Sequence, residues 1–222
     1  MLRKLPSIKW MFKQIGHFLG NGIFLSGILI VPSAIWIFVD NTVWEWDPAW
    51  YGEVSVTLFF LLRQQSGEWL NAMLSAFATK APGISWIGQF LVPLRHLTGS
   101  VDDSLMLQII LVQWATLVLT YRTVRYLAPR SSLAPLAACM SVASAPLFVG
   151  MSHKLFVEPM QTMAVAWIVL VATRSDRLNG WIVIAHMLAA MALAMMTKIT
   201  SPFYVLAPTI LVLYTLFEKR HS

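Results

Sequence analysis

A chain of 222 residues that is 58% hydrophobic and only 12% charged lies far outside the composition of a water-soluble domain and matches a protein that folds in a bilayer. The formal net charge of +6 does not point to nucleic acid, because the Lys and Arg residues stand in short clusters between apolar segments, where they set membrane topology. The single cysteine, Cys139, excludes an intrachain disulfide and a cysteine-based metal site.

Arg3, Lys4, Lys9 and Lys13 precede the first apolar run, at roughly 19–39. That run is longer than the ~7–15 residues of a signal-peptide core and ends in Ile37-Phe38-Val39-Asp40 rather than at small residues, so it reads as a retained anchor. Five further spans are predicted at about 104–121, 132–150, 157–173, 180–197 and 202–217. The expected architecture is all-α: a polytopic transmembrane helical bundle of about six spans, forming a single membrane domain over 1–222.

Between the first two spans, about residues 40–103 make a long outer loop that is itself largely apolar. Stretches 54–62 and 69–77 are amphipathic, and 84–97 is interrupted by Pro93 and carries Arg95 and His96. Interfacial helices are expected there, with Trp44, Trp46, Trp50, Trp69 and Trp86 at headgroup level. Counting 84–97 as a span would invert every later segment and spoil the charge asymmetry described next.

With the N-terminus inside, the inner segments hold Arg3, Lys4, Lys9, Lys13, Arg122, Arg125, Arg130, Arg174, Arg177, Lys219 and Arg220, eleven of the sixteen basic residues. Only Arg63, Lys80, Arg95, Lys154 and Lys198 fall outside, so both termini are expected in the cytoplasm. The acidic residues do the opposite: all but Asp176 and Glu218 fall outside. Carboxylates contribute little to insertion, so their bias calls for another cause, and chemistry on the outer face is one candidate.

Asp47-Pro48 reads first as a helix start, since Asp is a preferred N-cap and Pro suits the first helical position. A cap leaves Tyr51 and Glu53 unexplained. Asp47 and Tyr51 are four apart, so in a helix a carboxylate and a phenol share one face and can converge on a hydroxyl-bearing ligand. Lys80, Lys154 and Lys198 each sit at an outer interface, as snorkelling lysines do, yet a compact cation beside an apolar groove also suits a lipid phosphate. Glu158 opens the fourth span, where a carboxylate is costly unless paired, and Lys154 four residues earlier is the simple partner. His186, in the fifth span, is expected to be a buried, hydrogen-bonded histidine, and Asp102-Asp103 a solvated span boundary. His153 reads either as a ligand or as an interfacial side chain.

In their order and spacing these segments resemble the polytopic lipid-linked glycosyltransferases of the GT-C fold, which include the protein O-mannosyltransferase and aminoarabinose transferase families. Asp47-Pro48-Ala49-Trp50-Tyr51-Gly52-Glu53-Val54-Ser55 resembles the Asp-Glu-x-x-Tyr-x-Glu-x-Ala signature of their first outer loop. Lys80-Ala81-Pro82-Gly83-Ile84-Ser85-Trp86 is similar to their Lys-Pro-Pro-Leu-x-x-Trp segment, and Leu97-Thr98-Gly99 to the Phe-Gly that closes the loop. His153-Lys154-Leu155-Phe156-Val157-Glu158-Pro159 resembles a basic residue followed by Asp at the start of the fourth span, and Met196-Thr197-Lys198 their Leu-Thr-Lys. Pro48 stands in place of a second acid, Ala81 in place of a Pro, and Glu158 where Asp is usual.

The resemblance implies transfer of a sugar from a polyprenyl-phosphate carrier to a lipid, glycan or protein acceptor on the outer face, with inversion. It implies Asp47 as general base with Glu158 as a second catalytic carboxylate, and Tyr51, Glu53, Lys80, Lys154 and Lys198 as substrate-binding residues. It fixes no cofactor and leaves a divalent metal open, although Pro48 removes one acidic ligand. Family members are usually longer, so the chain corresponds to their N-terminal module, and a partner chain supplying further spans is one expectation. The localisation implied is a bacterial inner membrane, with the site on the periplasmic face. Two other readings stand beside it: a non-catalytic scaffold or subunit of such an enzyme, and a small lipid or solute transporter whose charges line a path.

Overall fold

The computed structural model describes residues 22–40, 44–78 and 80–221; the basic segment with Arg3, Lys4, Lys9 and Lys13 lies outside them. Every regular element among the described residues is helical. The principal helices are α1 (Gly22–Ile37), α2 (Trp46–Gln64), α3 (Ser66–Ser75), α4 (Val101–Leu127), α5 (Leu133–Ala143), α6 (Glu158–Arg174), α7 (Gly180–Thr197) and α8 (Ser201–His221). α4, α7 and the Ser201–Glu218 part of α8 are long and apolar enough to cross a membrane, and α1 and α5 are shorter apolar helices.

Local chemistry sets the helix ends. α4 begins at Val101 because Ser100 caps it, its hydroxyl accepting from the Asp103 N–H at 2.9 Å. Asp102 and Asp103 therefore occupy the first turn, where the helix dipole favours carboxylates. Asn179 caps α7 in the same way, accepting from the Trp181 N–H at 2.9 Å. The span expected over 132–150 is broken instead: α5 stops at Ala143, Ala145 is extended, and Pro146 opens a separate short helix, Pro146–Gly150. A residue before proline is pushed out of the helical region, which is the physical cause of the break.

α6 is the centre of the bundle and packs on α4, α7 and α8. Met160, Ala164 and Ile168 on α6 are fully buried, as are Ala190 and Ala194 on α7. Small side chains let the two backbones approach. The Gln161 amide donates to Ser201 Oγ at 3.0 Å, and Ser201 Oγ donates to the Ala194 carbonyl at 2.6 Å, so one buried chain of hydrogen bonds ties α6, α8 and α7 together. The buried residues of α7, Val183, Met187, Ala190 and Ala194, recur at helical spacing. His186 falls off that stripe, is exposed, and meets the edge of Trp167 at 5.6 Å, which corrects the expectation of a buried histidine.

The outer loop is part of the same core. α2 is one continuous helix of 19 residues rather than a motif followed by a separate amphipathic stretch. The 84–97 segment is divided among the helix Gly83–Gly88, a turn at Val92–Leu94 and a helix Arg95–Thr98, so it does not span. Tyr51, Phe59, Ile84 and Val92 from the loop cluster with Leu105, Ile109 and Met160 of α4 and α6. Trp69 donates to Gln89 Oε1 at 2.7 Å and Trp86 to the Met73 carbonyl at 3.2 Å, stitching α3 to the Gly83–Gly88 helix. Trp46, by contrast, is 89% exposed.

This arrangement makes a paired prediction for α7. Ala190→Leu should overpack the α6 interface and destabilise the protein by about 1–3 kcal/mol, read as a lower thermal midpoint in detergent. Ala189→Leu, one residue earlier and exposed, should leave the midpoint unchanged.

Candidate active site

Four segments far apart in the chain bring their charged residues to one end of the bundle. Asp47 comes from the first turn of α2, Lys80 from the loop before the Gly83–Gly88 helix, Glu158 from the first turn of α6, and Lys198 from the residue after α7. Lys80 Nζ donates to Asp47 Oδ1, and Lys198 Nζ to Glu158 Oε1 at 2.6 Å. Tyr51 lies between the two pairs, 4% exposed.

The backbone explains why these pairs form. Asp47 is not the cap of α2: the helix starts at Trp46, after Glu45, and no side chain caps it. The Asp47 carboxylate is therefore available to Lys80. Trp46 has a φ of 45°, a left-handed conformation that is strained for a bulky residue and that redirects the chain just before Asp47. Lys80 is held over the rings of Trp50 and Tyr51, 5.5 and 5.9 Å from their centroids, where the aromatic faces attract an ammonium. The Tyr51 carbonyl accepts from Ser55 Oγ at 2.7 Å and from Ser85 Oγ at 2.9 Å, so the Gly83–Gly88 helix is fastened to α2 at the site.

Two glycines permit the close approach to α7 on one side and to α2 on the other. A Cβ at Gly83 would lie 2.6 Å from the Met196 carbonyl oxygen, and one at Gly88 2.6 Å from Ser55 Oγ. The first approach brings the loop carrying Lys80 against the end of α7, two residues before Lys198.

Some expected site residues are not in this cluster. Glu53, two residues from Tyr51, points off its face and lines a separate cavity of about 300 Å³ with Trp50, Thr57 and Ala72, between α2 and α3. Lys154 is exposed and makes no ion pair among the described residues; Glu158 pairs with Lys198 instead. The reason is local: 151–153 form a tight turn and Lys154 is extended, so the four-residue spacing to Glu158 is not helical. His153 stacks on Trp36, ring centroids 5.0 Å apart, and so braces α1 against the entry to α6. Gly83 and Ser85 are site-building residues that the sequence left unassigned, and Trp50, expected only as a headgroup-level ring, lies beneath Lys80; all three fall inside the two loop motifs.

Beside Glu158, an apolar groove of about 350 Å³ runs between α5 and α6, lined by Val142, Leu147, Phe148, Met151 and Pro159 with the polar Gln113. Glu158 Oε2 and Gln113 Oε1 are buried without hydrogen-bond partners among the described residues. Among the described residues no group of three or more His, Cys, Asp or Glu side chains gathers, and both site carboxylates face lysines, a donor set that does not fit a resident divalent cation.

Burial first, and then the Asp47 and Glu158 carboxylates, push the Tyr51 phenol up from 10.0 to about 12. An unfolded chain ionises this phenol near 10, so its contribution to stability is whole below that pH and is lost as pH rises from there through about 12. A phenolate absorbance titration, wild type minus Tyr51→Phe, should place Tyr51 near 12; titration near 10 would contradict a position between two carboxylates. Gly83→Ala should lower the thermal midpoint by forcing the loop away from α7, whereas Gly67→Ala, with no atom within 4 Å of the added carbon, should not.

Residues 79–222 match the family described as dolichyl-phosphate-mannose-protein mannosyltransferase. No curated protein and no solved structure matches the chain. The matched segment contains Lys80, Glu158 and Lys198 and begins after Asp47 and Tyr51, which reach the same site only through the fold. The chain belongs to the dolichyl-phosphate-mannose-protein mannosyltransferase family, whose general activity is glycosyl transfer from a polyprenyl-phosphate-linked sugar.

Proposed function

We propose that this chain transfers a sugar from a polyprenyl-phosphate carrier to an acceptor hydroxyl at the outer face of the membrane, with inversion and with Asp47 as general base. The observation that carries this reading is the convergence of two carboxylate–lysine pairs on Tyr51 at one end of the bundle. The acceptor oxygen attacks C1 of the sugar opposite the phosphate, the bond from C1 to the phosphate oxygen breaks, and the acceptor proton passes to the Asp47 carboxylate. Lys80, assisted by Lys198, takes the charge that develops on the departing phosphate.

The resting pairs give this scheme an order of events. While Lys80 is bound to Asp47, the carboxylate is neutralised and is a poor base. A carrier phosphate competes for the Lys80 ammonium and frees Asp47, so the base becomes available when donor is present. Glu158 holds Lys198 through one oxygen and offers the other, which lacks a partner, to a sugar hydroxyl. The apolar groove beside Glu158 suits the first isoprene units of the carrier. Tyr51 stays protonated across physiological pH and serves as a hydrogen-bond donor, and Glu53 borders the neighbouring cavity on the acceptor side.

The orientation is part of the proposal. Arg122, Arg125 and Arg174 lie at the far ends of α4 and α6 and Arg177 in the turn after α6, which under the positive-inside rule puts those ends in the cytoplasm and the site opposite. A bacterial inner membrane with cytoplasmic termini fits this placement.

Release of free polyprenyl phosphate from a polyprenyl-phosphate sugar, with acceptor present, tests the roles. Asp47→Asn should lower kcat by about 10²–10⁴-fold while native mass spectrometry still shows the carrier retained. Lys80→Ala should weaken carrier retention by about 10–100-fold, the equivalent of a charge-assisted hydrogen bond of ~1.5–3 kcal/mol. Unchanged turnover in Asp47→Asn removes the base; unchanged retention in Lys80→Ala removes the phosphate site.

A further inference from the structure

The end of the bundle opposite the carboxylate–lysine cluster carries a second concave site. The seventeen residues of α6 separate Glu158 from Arg174 by roughly 25 Å along the helix axis. At that far end a cavity of about 380 Å³ is lined by Tyr121, Arg122, Arg125, Tyr126, Arg174 and Arg177, drawn from the last turns of α4 and α6 and the loops that follow. Its volume falls within the range of small-ligand sites.

Positive-inside residues explain why arginines are at this end, and helix C-termini favour cations. Neither explains why four of them border one hollow with so little compensating charge. Asp176 is the acidic residue at hand, and it is engaged: the Tyr126 hydroxyl donates to both of its oxygens, at 2.9 and 3.1 Å, and Arg177 approaches it at 3.7 Å. Arg177 also stacks over the Tyr126 ring, 4.8 Å from its centroid. Arg125 donates to the Pro129 and Ser131 carbonyls at 3.1 and 3.2 Å, which fixes the direction of its guanidinium. Arg122 and Arg174 are exposed and have no acidic partner among the described residues. Four guanidinium groups against one carboxylate leave a strongly cationic hollow whose walls are held by hydrogen bonds. Two exposed leucines flank in sequence the turn that contributes Pro129 to its lining: Leu127, 63% exposed, and Leu133, 71%.

We propose that this hollow binds the phosphodiester headgroup of an anionic phospholipid. Arg122 and Arg174 make the charge-assisted contacts to phosphate, Arg125 and Arg177 form the braced wall, and the acyl chains lie along the exposed leucines. A phosphodiester offers acceptor oxygens at the depth where these helices leave the hydrocarbon, and a guanidinium matches them two bonds at a time. Basic hollows between membrane helices are the features that select such headgroups over zwitterionic ones. The site is independent of the proposed transfer chemistry: it holds a structural or regulatory lipid, and its failure would leave the carrier site untouched.

Native mass spectrometry of the full chain, purified in neutral detergent and titrated with phosphatidylglycerol or phosphatidylcholine, tests this. The wild type should retain phosphatidylglycerol in preference to phosphatidylcholine. The Arg122→Gln/Arg174→Gln variant should lose that retention by roughly thirtyfold, two basic residues at about fivefold each. Each single variant should show the smaller loss, which keeps the test valid if the pair fails to fold. Arg63→Gln, an exposed cation in the last turn of α2 that does not line the hollow, should bind like the wild type. Equal retention of the two lipids by the wild type overturns the proposal, as does undiminished phosphatidylglycerol retention in the variants. Displacement of the lipid by an equal concentration of inorganic phosphate also overturns it, because the site would then recognise free phosphate rather than a lipid.

Discussion

The close approach of the Gly83–Gly88 helix to its two neighbours is the constraint on which the rest of the site depends. On one side Gly83 lies against the backbone of Met196, and on the other Gly88 lies against Ser55, with no room for a β-carbon at either place. Between them Ile84 is fully buried and Ser85 bonds the Tyr51 carbonyl. This short helix transmits the position of α7 to α2. Without it Lys80 would be a loop lysine, Asp47 an exposed acid at the start of an interfacial helix, and Lys198 the partner of a carboxylate with no second pair beside it. Packing of the outer loop into the membrane core is thus what converts a set of interfacial charges into one cluster.

Charge placement follows from the same economy. A carboxylate or ammonium at the edge of hydrocarbon is costly unless it is paired or reaches water. Asp47 with Lys80 and Glu158 with Lys198 satisfy each other while staying a third to a half exposed, so both pairs remain open to an incoming ligand. Such partly solvated pairs contribute little to stability and are easily exchanged for a stronger partner. Of the four arginines at the other end, only Arg177 approaches a carboxylate, Asp176, among the described residues. One end of the molecule therefore holds two charge-balanced pairs around a buried phenol, and the other a cationic hollow.

Helix continuity decided where sequence spacing could be trusted. The spacing of Asp47 and Tyr51 falls within the unbroken α2, and both residues do belong to one cluster. The same spacing between Lys154 and Glu158 crosses a turn and an extended residue, so it carries no geometric meaning, and Glu158 turns to a lysine forty positions away. His186 shows the limit from the other direction: it lies in a regular helix, but which face of that helix meets the bundle was not encoded in the apolar surround, because lipid and protein interior are equally apolar.

Composition and charge clustering determined that the chain is a helical membrane protein, because only long apolar runs of this kind can satisfy their backbone inside a bilayer. The sequence also placed α1, α4, α6, α7 and α8 approximately, though not the break after α5 or the continuity of α2, and it singled out Asp47, Tyr51, Lys80, Glu158 and Lys198 by their residue types near helix ends. Tertiary structure alone decided which lysine meets which carboxylate, that Glu53 and Lys154 stand apart, and that four arginines from two helices share a hollow. The physical reason is range. Hydrophobic periodicity and capping act over a few residues and are written locally, whereas ion pairing across 33 and 40 residues depends on where glycines let helices touch, and no local pattern records that distance.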